Sequence, residues 1–388
     1  MTDLHVSDAI RYVGADDTTI TLFEGQYPVP NGVSYNSYVI LDSKIAVMDT
    51  VDRRGTAAWL ENLVSVLDGR KPDYLVIQHM EPDHAGSIGL LAEKYPEMTL
   101  VGNAKTFSML PKFFPGDYTG RTLTVKEGDT LSLGTHTLTF VMAPMVHWPE
   151  VMVSYESSEK VLFSADGFGT FGANCCGQEW IAEARRYYFN IVGKYGAQVQ
   201  ALLKKASGLD IQTICPLHGP VLKSDLGYYL GKYDLWSRYE PEEDGVLIAY
   251  ASIHGNTAKA AQKMREILAE QGCANISMRD LDRCDQAEAV ADAFRYSRMV
   301  AMSSTYDGGL FPPMDHFMAH LRDKTYRNRR VALIENGSWA PSAAKHMRTY
   351  LEALKDITIC PTVHTIQSAV KENDIDAMRT IAKELLEQ

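Results

Sequence analysis

The chain has 388 residues, which at roughly 100–200 residues per domain predicts two or three domains. With 45% hydrophobic and 22% charged residues it has ordinary globular composition, which excludes a disordered, fibrous or membrane-like chain. Lys plus Arg (38) against Asp plus Glu (49) leaves a formal charge of −11, which repels nucleic-acid phosphates and anionic lipid, so neither nucleic acid nor membrane is an expected partner.

In chain order, residues 1–10 place acids where an export signal carries a basic and then an apolar segment, so no export is expected. The six cysteines, with Cys175 and Cys176 adjacent and no Cys-x-x-Cys, lack the spacing of a secreted disulfide scaffold and fit a reducing cytoplasm. Residues 130–149 are free of Asp, Glu, Lys and Arg, yet too polar for the ~20 apolar residues of a membrane span. The first half reads as short strands at 18–23, 37–41, 44–48, 137–141, 151–155 and 160–164, rich in β-branched and aromatic residues and bounded by turn pairs such as Asn31-Gly32. Helical patterns at 57–67 and 179–206 interrupt them, the second ending at Gly208.

After the acidic, proline-containing segment 240–245 the rhythm changes. Strands at 246–250, 299–302 and 330–334 alternate with helices at 257–271, 313–321 and 343–354, the grammar of a doubly wound parallel sheet. The boundary is placed there, giving domains 1–241 and 245–388.

The strongest chemical signal is an apolar strand running into His79-Met-Glu81-Pro-Asp83-His84. Alternation along an extended segment projects His79, Glu81 and Asp83 to one side, and His84 joins where the chain turns into a helix. Further along, His147, Asp166 and His218 each end a predicted strand. A lone His or Asp at such a place is most often a cap or a satisfied polar residue, but seven in this order form a donor set. If Glu81, Asp83 and Asp166 converge, burying three uncompensated carboxylates costs several kcal/mol each. Two divalent cations supply the counter-charge.

These residues resemble the flavodiiron proteins, the oxygen- or nitric-oxide-reducing family that joins a metallo-β-lactamase-like domain to a flavodoxin-like one. The likeness runs over essentially the whole chain. It implies an α/β fold with an N-terminal metallo-β-lactamase-like αββα sandwich and a C-terminal flavodoxin-like doubly wound parallel sheet. Hydrolytic relatives of the first domain carry His-x-His-x-Asp-His for zinc; here Glu81 stands where their second His would be, and carboxylate ligation favours harder cations such as iron and manganese. The resemblance implies two iron ions per chain: His79, Glu81 and His147 on one, Asp83, His84 and His218 on the other, Asp166 bridging. Family members differ at His84, which reaches the metal in some and yields to water in others.

In the second half, Ser252-Ile-His254-Gly255-Asn256-Thr257 joins the first strand to a helix. Hydroxyls, glycine and free amides at a helix start suit an anion, and a helix cap is the competing reading. The absence of Gly-x-x-x-x-Gly-Lys-Ser/Thr argues against a triphosphate loop, and a monophosphate such as FMN fits better. Two later loops, Ser303–Gly309 and Glu335–Trp339, combine glycine with an aromatic. The flavodoxin likeness assigns Ser252, His254, Gly255, Asn256 and Thr257 to the FMN phosphate, and Thr305, Tyr306, Asp307, Gly308, Asn336, Gly337 and Trp339 to the ring; His254 departs from the usual Thr.

The implied function is reduction of O2 to water and/or NO to N2O, with electrons entering through FMN. The family also implies a head-to-tail homodimer or dimer of dimers. Without Cys-x-x-Cys pairs no rubredoxin domain is fused, so the external donor is a rubredoxin-like protein or a reduced deazaflavin. The competing readings are a dizinc metallo-β-lactamase-type hydrolase with a regulatory nucleotide-binding domain, and an electron carrier with a closed structural metal. Tyr27, Trp148 and Phe171 are candidates for residues near the irons.

Overall fold

The computed structural model describes residues 3–177 and 179–387, so the outer limits of the expected domains, residues 1 and 388, lie outside it. The chain divides into two compact units between Asp234 and Leu235.

In the first unit, a six-stranded sheet runs in the order Ile10–Tyr12, Tyr38–Ile40, Ala46–Met48, Tyr74–Val76, Thr99–Gly102, Thr122–Thr124. A five-stranded sheet runs Thr130–Ser132, Thr137–Met142, Met152–Glu156, Val161–Phe163, Thr213–Cys215. Tyr38, Ile40, Met48, Val76 and Val101 of the first pack against Leu138, Phe140, Met152, Val161 and Phe163 of the second in one core. Several strands are buried at every position, because helices cover the faces that the sheets turn away from each other. The helix Thr56–Leu67 does so with Trp59, Leu63 and Leu67, spaced four apart on one face. The result is the αββα sandwich. Truncating the fully buried Phe163 to alanine should cost about 3–5 kcal/mol, read from the denaturant midpoint; a loss under about 1 kcal/mol would show that the sheets do not share this core.

In the second unit, five parallel strands stand in the order Ile276–Asp280, Glu243–Ala251, Tyr296–Tyr306, Arg329–Asn336, Ile357–Ile366. In chain order this is 2-1-3-4-5, the flavodoxin-like doubly wound arrangement, whose ligand crevice lies where the first and third strands part. Among the described residues no helix is long and apolar enough to cross a membrane.

Several local expectations are corrected. Residues 18–23 are mostly a turn: the Asp17 carboxylate accepts from the amides of Thr19 (2.8 Å) and Ile20 (3.0 Å), leaving strands only at Ala15–Asp17 and Leu22–Phe23. The helix expected over 179–206 is broken into Trp180–Tyr187, a π-helical turn Tyr188–Val192, a 3-10 turn Gly193–Tyr195 and Gly196–Ala206. The Asn190 amide donates to the Arg186 carbonyl (2.8 Å) at the π turn and two glycines follow, both of which loosen a regular helix. The strand expected at 246–250 is longer than its apolar run, opening at Glu243 within the acidic segment and ending at Ala251. The strands Ile276–Asp280 and Ile357–Ile366 escape the sequence pattern because their mixed polar composition reflects half-buried positions at the sheet edges.

Candidate metal centre and phosphate-binding loops

The strand Tyr74–Val76 stops short of His79, and Pro82 starts a one-turn helix, Pro82–Ala85. Proline is preset for the first helical position, so the extended alternation ends at Glu81. Asp83 therefore does not project beside His79 and Glu81. Instead the donor atoms form two groups, His79, Glu81, His147 and Asp166 in one and Asp83, His84 and His218 in the other, each within 4.8 Å. Asp166 faces both. Its Oδ2 lies 3.3 Å from His79 Nε2 and 3.2 Å from His147 Nε2, while its Oδ1 lies 3.2 Å from His84 Nε2 and 3.9 Å from His218 Nε2. Glu81 Oε2 is 3.0 Å from His147 Nε2 and 3.1 Å from His79 Nε2, and Asp83 Oδ2 is 3.2 Å from His218 Nε2 and 3.3 Å from His84 Nε2. All seven sequence-predicted residues are thus brought together, His84 included.

The residues that orient these groups carry no motif and were not expected. His79 Nδ1 donates to Glu150 Oε1 (2.9 Å), and His218 Nδ1 donates to the Ser34 carbonyl (2.6 Å). Because those partners accept from Nδ1, Nε2 is the nitrogen each imidazole turns toward the cluster, the one a metal would take in place of a proton. His84 differs: its Nδ1 has no partner among the described residues. Asp49 accepts from the Gln78 amide (2.8 Å) and side chain (3.0 Å), fixing the chain ahead of His79, and burial pushes its pKa up to about 6. Asn36 donates to the carbonyls of Pro216 and Gly219 (2.8 Å each) on either side of His218. Asp49, Met145, Ala165 and Phe168 all have positive φ without being glycine, backbone strain gathered around the ligand loops. Trp148 lies 5.3 Å from the His79 ring; Phe23 and Tyr187 flank His218 at 5.5 and 5.4 Å, Phe171 packs behind both, and Tyr27 packs on Phe171.

The electrostatics ask for cations. Burial alone would lower the pKa of His79, but Asp166, Glu150 and Glu81 outweigh it and hold it well above the ordinary value. His147, also opposed by burial, is raised to about 9 by Asp166 and Glu81. Burial would raise Asp166, and the histidines around it drive it well below the carboxylate range. Buried atoms without a hydrogen-bond partner include Asp83 Oδ1, His147 Nε2 and Asp166 Oδ1. Buried lone pairs left open among mixed carboxylate and imidazole donors fit a pair of transition-metal ions.

In the second unit, Ser252 Oγ accepts from the amides of Gly255 and Ala258 (3.1 Å each), folding the loop over the start of the helix Asn256–Glu270. Gly255, with φ +85, which suits glycine, offers no capping side chain, and since Ser252 takes the Ala258 amide, the amides of Asn256 and Thr257 are the ones left for an anion. Thr257 Oγ1 lies 3.0 Å from Ser304 Oγ, tying this loop to the next strand end. A cavity of about 280 Å³ is lined by Thr305, Asp307, Gly308, Gly337, Ser338 and Trp339. Trp339 is 83% exposed, a large apolar face on the cavity wall. Tyr306 and Asn336 do not line it; the Asn336 side chain is committed to Ser368, donating to its carbonyl (2.9 Å) and accepting from its amide (3.0 Å). Trp339→Ala should weaken flavin retention or shift its potential while metal content stays unchanged; loss of metal with flavin intact would contradict a ring site here.

Residues 33–219 match the family described as ODP family beta lactamase. The chain is 28% identical to the rubredoxin-oxygen oxidoreductase of Megalodesulfovibrio gigas, over 97% of this chain and 96% of that protein. It is 29% identical to the anaerobic nitric oxide reductase flavorubredoxin of Aeromonas hydrophila, over 92% of this chain and 74% of that protein. Among solved structures, the rubredoxin oxygen:oxidoreductase of Desulfovibrio gigas aligns with a TM-score of 0.91 at 26% identity, covering 98% of this chain and 97% of that one.

Proposed function

Because this chain belongs to the flavodiiron proteins, we propose that it reduces O2 to water, NO to N2O, or both at a non-haem diiron centre, with electrons supplied through FMN by an external donor. The observation that carries the reading is Asp166, one buried carboxylate whose two oxygens reach two separate His-carboxylate groups. His79, Glu81 and His147 would hold one iron, Asp83, His84 and His218 the other, with Asp166 between them. When bound, the irons supply open positions and redox equivalents for the gas, and FMN relays electrons to them. Glu150 and the Ser34 carbonyl keep His79 and His218 in the ligating tautomer. Glu81, in place of an imidazole, supports iron over the dizinc hydrolase.

In the second unit, Ser252, His254, Gly255, Asn256 and Thr257 would hold the FMN phosphate. Thr305, Asp307, Gly308, Gly337 and Trp339 would enclose the ring, with Tyr306 at the rim and Asn336 bracing the loop. The reading includes a domain division near residues 241–245, a cytoplasmic location, a rubredoxin-like protein or reduced deazaflavin as donor, and a head-to-tail homodimer or dimer of dimers; the family likeness supports these.

The test is metal and flavin content of anaerobically purified protein, followed by O2 and NO consumption with reduced flavin. Two irons and one FMN per chain with rapid gas uptake are expected. Zinc without flavin would hand the site to the hydrolase.

A further inference from the structure

We propose that an apolar cavity behind the metal centre is a holding site for a small apolar gas on its way to the cluster, an inference that rests on the gas-reductase reading and extends it. The cavity, of about 30 Å³, lies within the first unit and is walled by Val146, Val153, Leu162, Gly167, Phe168 and Val199. That is room for one small molecule. Val146 is the residue before His147, and Gly167 and Phe168 follow Asp166, so the wall is made by the same loops that present a ligand of the first group and the shared carboxylate.

The lining has two polar side chains, and both are engaged with backbone. The Ser164 hydroxyl donates to the Gly167 carbonyl (2.7 Å), and the Tyr233 hydroxyl accepts from the Phe168 amide (2.6 Å). A water held here would need two to four polar partners, whereas an apolar molecule needs none, so the space favours an uncharged diatomic over water or ions. The cavity also shares a wall with a surface groove. Leu203, Ala206 and Leu230, all half-buried, line both it and an open groove of about 390 Å³ that continues over Leu209 and Ile211 at the surface. The polar side chains of the groove, Ser207 and Asp234, do not line the cavity, so only the apolar Leu203, Ala206 and Leu230 are shared between groove and cavity, a boundary that admits O2 or NO by partition and holds back charged competitors.

Xenon, an apolar atom that occupies dry cavities, is the probe. Crystals of the iron- and FMN-replete protein under xenon pressure should show one xenon between Val146, Phe168 and Val199. Val199→Phe fills the space and should abolish that site. Ala206→Phe, at the half-buried mouth where extra volume is tolerated, should slow xenon exchange in NMR and lower kcat/KM for the gas several-fold, with kcat at saturating gas, iron and FMN content unchanged. It also keeps the test decisive if Val199→Phe fails to fold. No xenon in wild type that turns over normally would overturn the cavity alone, as would xenon binding with wild-type kcat/KM in Ala206→Phe. Failure of the parent reading shows separately, as iron- and FMN-replete wild type that consumes neither gas, and would overturn this inference with it.

Discussion

Asp166→Ala is expected to abolish O2 and NO reduction and to strip or uncouple the irons while FMN stays bound. Asp166 is 1% exposed, and it is the one carboxylate whose oxygens contact histidines of both groups. Its loss leaves the first group with Glu81 as its only carboxylate and the second with Asp83, and nothing holds the two together. Since even an outer partner of a metal ligand is worth about 10–100-fold in metal affinity, removing the shared ligand should cost at least about 100-fold. Metal analysis and gas uptake on the purified variant check this. Wild-type-like turnover would mean that the cluster is misassigned.

Glu150→Gln should lower iron affinity by about 10–100-fold without unfolding the protein. Glu150 is fully buried and accepts from His79 Nδ1 (2.9 Å) and from the Met80 amide (2.8 Å). The amide preserves the shape, so the sandwich core should keep its stability. What is lost is the charge that holds the proton on His79 Nδ1 and strengthens Nε2 as a donor. Glu150→Ala should cost more, because it also leaves His79 Nδ1 and the Met80 amide buried without an acceptor. Iron titration into metal-free protein separates the variants, and equal affinity in all three would remove Glu150 from the site. The same reasoning marks His84 as less supported than His79 and His218, since its Nδ1 has no such anchor among the described residues.

The seven residues that cluster were legible because four of them crowd into the run from His79 to His84 and the other three each follow an apolar stretch. A polar, metal-competent residue at that point stands out against its surroundings. Glu150, Asp49 and Asn36 were not legible. Each is a single polar residue in an unremarkable stretch, and its partner is distant in sequence: Asp49 serves Gln78, Glu150 serves His79, and Asn36 serves the loop around His218. Trp148 was a candidate by adjacency to His147 and does meet the His79 ring, whereas Phe23 and Tyr187 reach His218 only through packing between segments far apart in the chain.

The sequence by itself determined what is local: the β/α rhythm of the second half, the donor-rich run from His79 to His84, and the glycine-containing turn into the helix at Asn256. Each depends on residues a few positions apart, where strand period, helix caps and turn chemistry act directly. The tertiary structure set the distances that part the seven residues into two groups with Asp166 between them, a division the family resemblance had implied, and it alone decided which imidazole nitrogens face the cluster. Those outcomes arise where the sheet carrying Tyr74–Val76 packs on the sheet carrying Val161–Phe163 and Thr213–Cys215. Burial of a shared apolar core sets that packing, and the distances among loops at its rim follow from it rather than from any spacing along the chain.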